Sequence, residues 1–187
     1  RIQDFINDTA IPDVEMLAEH YPEYIDDLGK GNGNYISVGG FETPEGSTLF
    51  ASGAILKGVR EPFSEKEVTE DVTTAWYKPS SNGYPGETAT EPDREQPKGY
   101  TWVKGPRYKG QPVEVGPLAR RLVAGKPVIG KGAIGRLWAR TMEMKELADA
   151  AMTWINRLEP GAATLNRQIG RDSGIGVGLF DAMRGSL

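Results

Sequence analysis

The chain reads as an α+β protein: an N-terminal helical segment, a small antiparallel sheet, a long loop and a long C-terminal helix. Three observations predict this. Over residues 1–28 the apolar side chains recur mostly at three- and four-residue steps. Between 35 and 57 short extended runs alternate with Gly-, Pro- and Ser-bearing turns. From 133 to 158 one apolar stripe persists at helical spacing until Pro160-Gly161 ends it.

The helical segment carries Phe5, Ile6, Ile11, Val14, Leu17, Ala18, Tyr21, Ile25 and Leu28, with acids between them. Pro12 and Pro22 are expected to begin or kink segments, and Asp8 or Thr9 to cap the part near Pro12. Residues 29–34, Gly-Lys-Gly-Asn-Gly-Asn, read as a flexible connection, since no helix N-terminus follows to offer oriented amides to a phosphate. Strands are expected at 35–38, 48–51 and 54–57, with turns at Gly39-Gly40, Pro44-Glu45-Gly46 and Ser52-Gly53. Ser64 before Glu65-Lys66-Glu67 predicts a capped helix to about Asp71. Residues 78–98, rich in Pro, Gly, Ser, Asn and acids, form the long loop.

Beyond the loop, 100–104 and 111–114 read as an extended pair joined by a turn at Lys109-Gly110. A short helix follows from Gly116 or Pro117 to about Ala124. The long helix, 133–158, sets Ile134, Leu137, Trp138, Thr141, Met144, Ala148, Ala151, Met152, Ile155 and Leu158 in its stripe, with Arg136, Arg140, Glu143, Glu146 and Asp149 on other faces. The tail from 161 to 187 shows no period, and its Gly174-Ile175-Gly176-Val177-Gly178 run reads as extended backbone.

Composition narrows the function. The 187 residues are 38% hydrophobic, and no run approaches the ~18 apolar residues that cross a bilayer. The chain opens on Arg1 and reads as an excised piece. There are no cysteines, so disulfides, thiolate metal sites and cysteine nucleophiles are excluded within it. The net charge of −4 hides an asymmetry: residues 1–99, the acidic helix-plus-sheet part, carry −11, and residues 100–187, the basic and mainly helical part, carry +7. Since the basic residues are spread over several segments, the two parts are expected to fold as a single domain over 1–187, with charges in solvent or paired locally, and no nucleic acid is implied.

Familiar chemical motifs do not carry the chain. GKGAIG at 130–135 fits the dinucleotide fingerprint, but no strand precedes it and none follows the helix it opens, so it reads as helix initiation. No GxSxG elbow accompanies the only histidine, His20, which reads as a surface or packing residue.

The stretch from Tyr100 to Arg140 is more telling, because it gathers aromatics, arginines, Gly and Pro. YTWVKGPRY at 100–108, EVGPLAR at 114–120 and IGR at 134–136 resemble, in this order, motifs of the large catalytic subunit of nickel-iron hydrogenases. The resemblance reaches back through Trp76-Tyr77 and SNGYPGE at 81–87, and forward to Gly176-Val177-Gly178 and Ala182-Met183-Arg184-Gly185-Ser186-Leu187.

That resemblance implies an internal portion of the hydrogenase large-subunit fold, with 35–57 in a sheet-bearing lobe and 78–98 an ordered covering loop. Relatives carry an insertion where 125–131 here joins two helices directly. The implied parent activity is reversible oxidation of H2 at a Ni-Fe centre whose iron bears CO and CN ligands, with electrons passing to an iron-sulfur small subunit. The family holds its metals through two cysteine pairs, one near each end of the subunit, and neither pair is present. A middle segment is therefore expected, inactive and metal-free alone, from a prokaryotic cytoplasmic or periplasmic membrane-associated complex.

Arg184-Gly185 stands where the family has Pro-Arg-Gly, so Arg184 is the catalytic candidate, an outer-sphere guanidinium over the metal centre. Met183 replaces the usual Pro and Asp181 the usual Glu. Glu114, Arg120 and Arg107 read as buried ion-pair or hydrogen-bond anchors. Two other classes stay open: a metal-free scaffold or proton-path subunit of a respiratory complex, and a module that binds the small subunit.

Overall fold

The computed structural model describes residues 1–43, 45–163, 173–174 and 176–186. Helix α1 (Ile2–Phe5), a π-helical segment (Ile6–Ala10) and α2 (Ile11–His20) form one continuous run. Pro12 accounts for the π segment: its nitrogen cannot donate to the Asp8 carbonyl, and the Ile11 N–H reaches back five residues to the Ile6 carbonyl. Ala10 keeps helical dihedrals, so neither Asp8 nor Thr9 caps α2. Tyr21 breaks the run, and α3 (Glu23–Asp26) follows Pro22.

Residues 29–34 are closely fitted rather than loosely connecting. A Cβ on Gly31 would stand 2.6 Å from Glu114 Oε2, and the side-chain amides of Asn32 and Asn34 donate to the Pro112 carbonyl at 2.7 and 3.3 Å. They lead into an antiparallel sheet of order β1 (Tyr35–Ser37), β4 (Gly53–Leu56), β5 (Val59–Glu61), with Tyr35 opposite Ile55 and Ile55 opposite Arg60. A separate hairpin pairs β2 (Gly40–Glu42) with β3 (Thr48–Phe50).

The helix expected from Ser64 to Asp71 does not form. Only Glu65–Glu67 makes a 3₁₀ turn, the Ser64 side chain caps nothing, and Val68–Asp71 is strand β6. Its partner is β7 (Gly105–Tyr108), in register from Val68 opposite Tyr108 to Asp71 opposite Gly105. Pairing β-branched Val68 and Thr69 with a distant strand outweighs the local helix start. The expected pair of 100–104 with 111–114 shifts accordingly. Its turn is at Lys109-Gly110, both at positive φ, where Tyr108 and Gln111 exchange backbone hydrogen bonds at 2.9 Å. The incoming strand is β7, and Glu114 joins β1 instead, donating to Asn34 O at 2.8 Å while its carbonyl accepts from Ile36 N–H at 3.0 Å.

The covering loop is pinned at its base. Lys78 N–H donates to Glu91 O at 2.9 Å, Asp93 N–H to Trp76 O at 2.8 Å, and the buried Ser81 hydroxyl accepts from Glu91 N–H at 2.9 Å. Trp76 meets Trp102 edge-on, with ring centroids 5.2 Å apart.

Helix α4 (Pro117–Val123) begins after Gly116, and α5 (Ala133–Ile155) begins beneath α3. The Gly132 and Ala133 amides donate to the Ile25 and Leu28 carbonyls at 2.6 and 2.8 Å, so these amides in the middle of GKGAIG are already taken by α3 and the turn after it. A Cβ on Gly130 would strike the Ile25 carbonyl, which explains that glycine by packing. One core cluster joins Tyr35, Leu118, Ala119, Val123 and Ala139, and a second joins Ile36, Ala54 and Tyr108. Burying each large apolar side chain there contributes about 1.5–3 kcal/mol.

The buried face of α5 overlaps the apolar stripe in part: Ile134 and Thr141 are buried. Gly135, Ala139 and Glu143, spaced by four, are buried, whereas Leu137, Met144, Met152 and Ile155 are exposed and Leu158 lies past the helix end. The missing side chain at Gly135 admits the Gly130 backbone, and the small one at Ala139 lets α4 pack against α5. Charges pair across the acidic and basic parts through Lys104–Glu70 (2.6 Å), Arg107–Asp71 (3.2 Å) and Lys109–Glu61 (2.8 Å). No helix among the described residues is long and apolar enough to cross a membrane.

Candidate functional site

The motif around Arg184 forms a braced turn. Asp181 and Ser186 pair as an antiparallel bridge, and Ala182 N–H donates to Gly185 O at 2.7 Å, so 182–185 is a tight loop carrying Arg184. Asp181 is fully buried and its oxygens are occupied. One accepts from the Ser37 hydroxyl and the Gly39 amide, both at 2.9 Å, and the other from the Ser186 hydroxyl at 2.6 Å. The loop is thereby tied to β1 and to the turn after it.

Two glycines let this loop reach the EVGPLAR segment. A Cβ on Gly116, whose φ is +96°, would stand 2.7 Å from the Arg184 carbonyl oxygen, and one on Gly185 would strike Val115. Motifs some seventy positions apart in sequence are thus in backbone contact, and a larger residue at either glycine would push them apart.

Arg120, on α4, holds the same loop from beneath. Its side chain is 1% exposed, and it grips Glu143 of α5 in a two-pronged ion pair, Nε and Nη2 each 2.7 Å from a carboxylate oxygen. The remaining donors turn to the loop: Nη1 donates to Ala182 O at 3.0 Å and Nη2 to Met183 O at 3.4 Å. Asp181 Oδ1 is 3.7 Å from Nη1, and the Phe50 ring centroid lies 4.9 Å from the guanidinium carbon. A buried guanidinium is tolerable only when its charge is matched and its donors used. Here Glu143 supplies the charge and the loop carbonyls supply the acceptors.

Glu114 pairs elsewhere, with Arg136 of α5, whose Nε also donates to Gly29 O at 3.1 Å. Burial pushes the Glu114 carboxyl above its usual range, and the Arg136 charge and hydrogen bond only partly offset this. Burial, and then the Glu114 charge, raise the Tyr35 phenol as well. Arg107 is not buried. About a third of its side chain is exposed where it meets Asp71 across β6 and β7, because Tyr108 takes the inward position beside it.

The Arg184 side chain is exposed and makes no ion pair among the described residues, although its backbone is fixed. Chemically the loop can present a permanent cation at a set position. The chain has no thiol, His20 lies exposed at the end of α2 with Nδ1 2.8 Å from Met16 O, and no cluster of three His, Asp or Glu suits a metal among the described residues. The donor set of this chain therefore does not fit a nickel-iron centre.

Sequence reasoning missed Glu143, Asp181, Gly116 and Gly185 as parts of this arrangement. For Glu143 a signal existed: it lies one turn after Ala139, whose small side chain packs against α4. Asp181 was marked only as standing where the family has Glu, and its partners Ser37 and Gly39 lie far away in sequence.

Comparison with known proteins identifies the family. A family model described as nickel-dependent hydrogenase matches residues 1–128. The large subunit of a periplasmic [NiFeSe] hydrogenase from Desulfomicrobium baculatum is 28% identical over the whole chain, and the chain spans 41% of that relative. The hydrogenase-2 large chain of Escherichia coli is 36% identical over 66% of this chain and 24% of its own length. A solved structure of the D. baculatum [NiFeSe] hydrogenase superposes with a TM-score of 0.89 at 28% identity, over 98% of this chain and 43% of that one. The chain thus spans well under half the length of these relatives, and it belongs to the nickel-dependent hydrogenase family.

Proposed function

We propose that these residues work as the metal-free, arginine-presenting region of a hydrogenase large subunit. The whole protein would reversibly oxidise H2 to protons and electrons at a Ni-Fe centre with CO and CN on iron, held by cysteines outside this chain. Electrons would leave through an iron-sulfur small subunit, in a prokaryotic cytoplasmic or periplasmic membrane-associated complex. Family membership and the periplasmic setting of one relative support this reading.

The observation that carries it is the braced loop at 182–185, where a buried ion pair, two occupied carboxylate oxygens and two close-fitting glycines fix the backbone of one exposed arginine. Such rigidity suits a cation that must face reacting atoms at a set distance. A guanidinium stays protonated, so Arg184 would orient and stabilise charge rather than serve as a ready base. Glu114, Arg120 and Arg107 would be structural anchors, and the ion pairs across the acidic and basic parts support treating 1–187 as one unit.

Alone, the chain is expected to bind no nickel and to turn over no H2. Nickel analysis of the purified 187-residue chain after incubation with the metal checks this: less than a tenth of an equivalent is expected by order of magnitude for a chain without thiol donors, and one equivalent would overturn it.

A further inference from the structure

Arg120 spends its donors in two directions, and that division is informative. Two 2.7 Å bonds bind it to Glu143 and fix the plane of its fork, and the remaining edge reaches the Ala182 and Met183 carbonyls that immediately precede Arg184. Glu143 itself touches neither the loop nor Arg184 by hydrogen bond, and its oxygens are committed to Arg120.

We infer that Glu143 is a positioning residue for Arg184, acting through the Arg120 guanidinium. The chain of contact runs from α5 through α4 to the loop: carboxylate, planar fork, two backbone carbonyls, arginine. Loss of the carboxylate leaves Arg120 buried with Asp181 as its nearest charge, at 3.7 Å. The fork is then expected to swing toward Asp181, since an unmatched buried cation seeks its remaining counter-charge. Its grip on the 182 and 183 carbonyls changes with it. Asp181 replaces Glu143 only in part, because Oδ2 already accepts from Ser37 and Gly39 and Oδ1 from Ser186, which leaves no room for a two-pronged pair.

This rests on the reading of Arg184 given above, and a double-mutant cycle separates the two. The protein is the full-length large subunit assembled with its small subunit, and H2-dependent reduction of a viologen is measured with nickel content checked for every variant. Glu143→Gln is expected to lower kcat by about tenfold or more, the scale of a misplaced catalytic group, with KM for H2 and nickel content unchanged. In an Arg184→Ala background the same change should add nothing.

Multiplying effects of the two substitutions would overturn the inference and leave Arg184 standing, because Glu143 would then act independently. An Arg184→Ala protein with ordinary turnover would overturn both. If Glu143→Gln fails to assemble, Glu143→Asp keeps the charge but withdraws it by one methylene; a smaller fall in kcat, again absent without Arg184, supports the positioning role, and an unchanged kcat overturns it.

Discussion

Replacing Glu143 by Ala tests how far the fold depends on the buried clamp. The side chains of Arg120 and Glu143 are 1% and 6% exposed, so deletion of the carboxylate strands a guanidinium out of water. Breaking one partner of such a pair costs about 3–5 kcal/mol. The lower end applies here, because the Ala182 carbonyl and Asp181 still face Arg120. Arg120→Met should cost about 5 kcal/mol, since it strands Glu143 and also removes the donors of the Ala182 and Met183 carbonyls. In the double variant, Arg120→Met with Glu143→Ala, no charge is left unmatched within the pair. What remains lost are the carbonyl contacts, at about 1–3 kcal/mol each. The double should therefore cost less than the sum of the singles, by at least about 2 kcal/mol. Urea unfolding followed by tryptophan fluorescence measures all three. Single costs below about 1 kcal/mol, or strictly additive ones, would refute the reasoning.

Other expectations follow from the same contacts. Gly31→Ala places a methyl 2.6 Å from Glu114 Oε2 and 3.0 Å from Arg136 Nη2, and should destabilise by about 1–3 kcal/mol. Gly33→Ala meets open space but sits at φ +82°, so its cost is only the backbone strain of about 1–2 kcal/mol; thermal unfolding ranks the two, and a larger loss at 33 contradicts the packing argument. The Glu114 carboxyl is raised above 4.5 by burial, so as pH falls the folded state takes up its proton before the unfolded chain does. Its contribution to stability thus declines as pH rises from 4.5 through the raised value. The Tm difference, wild type minus Glu114→Gln, should fall over that window, and a difference that grows with pH would count against it.

The sequence was most legible where one residue sets the backbone. Pro117 after Gly116 marked the start of α4, the turn at Lys109-Gly110 stands where glycine and positive φ require it, and Pro12 marked a helical irregularity, though it took the form of a π turn. It was least legible where the deciding partner lies far along the chain. Ser64-Glu65-Lys66-Glu67 is a sound helix start by local rules, yet β7, more than thirty residues on, turns 68–71 into a strand. Apolar spacing on α5 found Ile134 and Thr141, which are buried, but also pointed to the exposed Leu137, Met144 and Met152, whereas Ala139 and an ion-paired Glu143 meet α4 and Gly135 meets the Gly130 backbone. Periodicity reads hydrophobicity, and a helix that meets its neighbour through small residues and a buried salt bridge hides its inner face from that reading. Motif order singled out Arg184 and Arg120, but not that Arg120 holds the carbonyls just before Arg184, because that contact depends on the return of the tail beneath α4.

The most direct measurement takes the full-length subunit with its small subunit and compares Arg184→Ala with wild type in two respects, nickel bound per protein and H2-dependent viologen reduction. The account predicts an unchanged nickel content with turnover lowered by about 100-fold or more, the loss typical of a removed charge-stabilising group. Turnover that survives the substitution, or nickel that disappears along with it, would contradict the claim that this region presents a cation to the reaction without holding the metal.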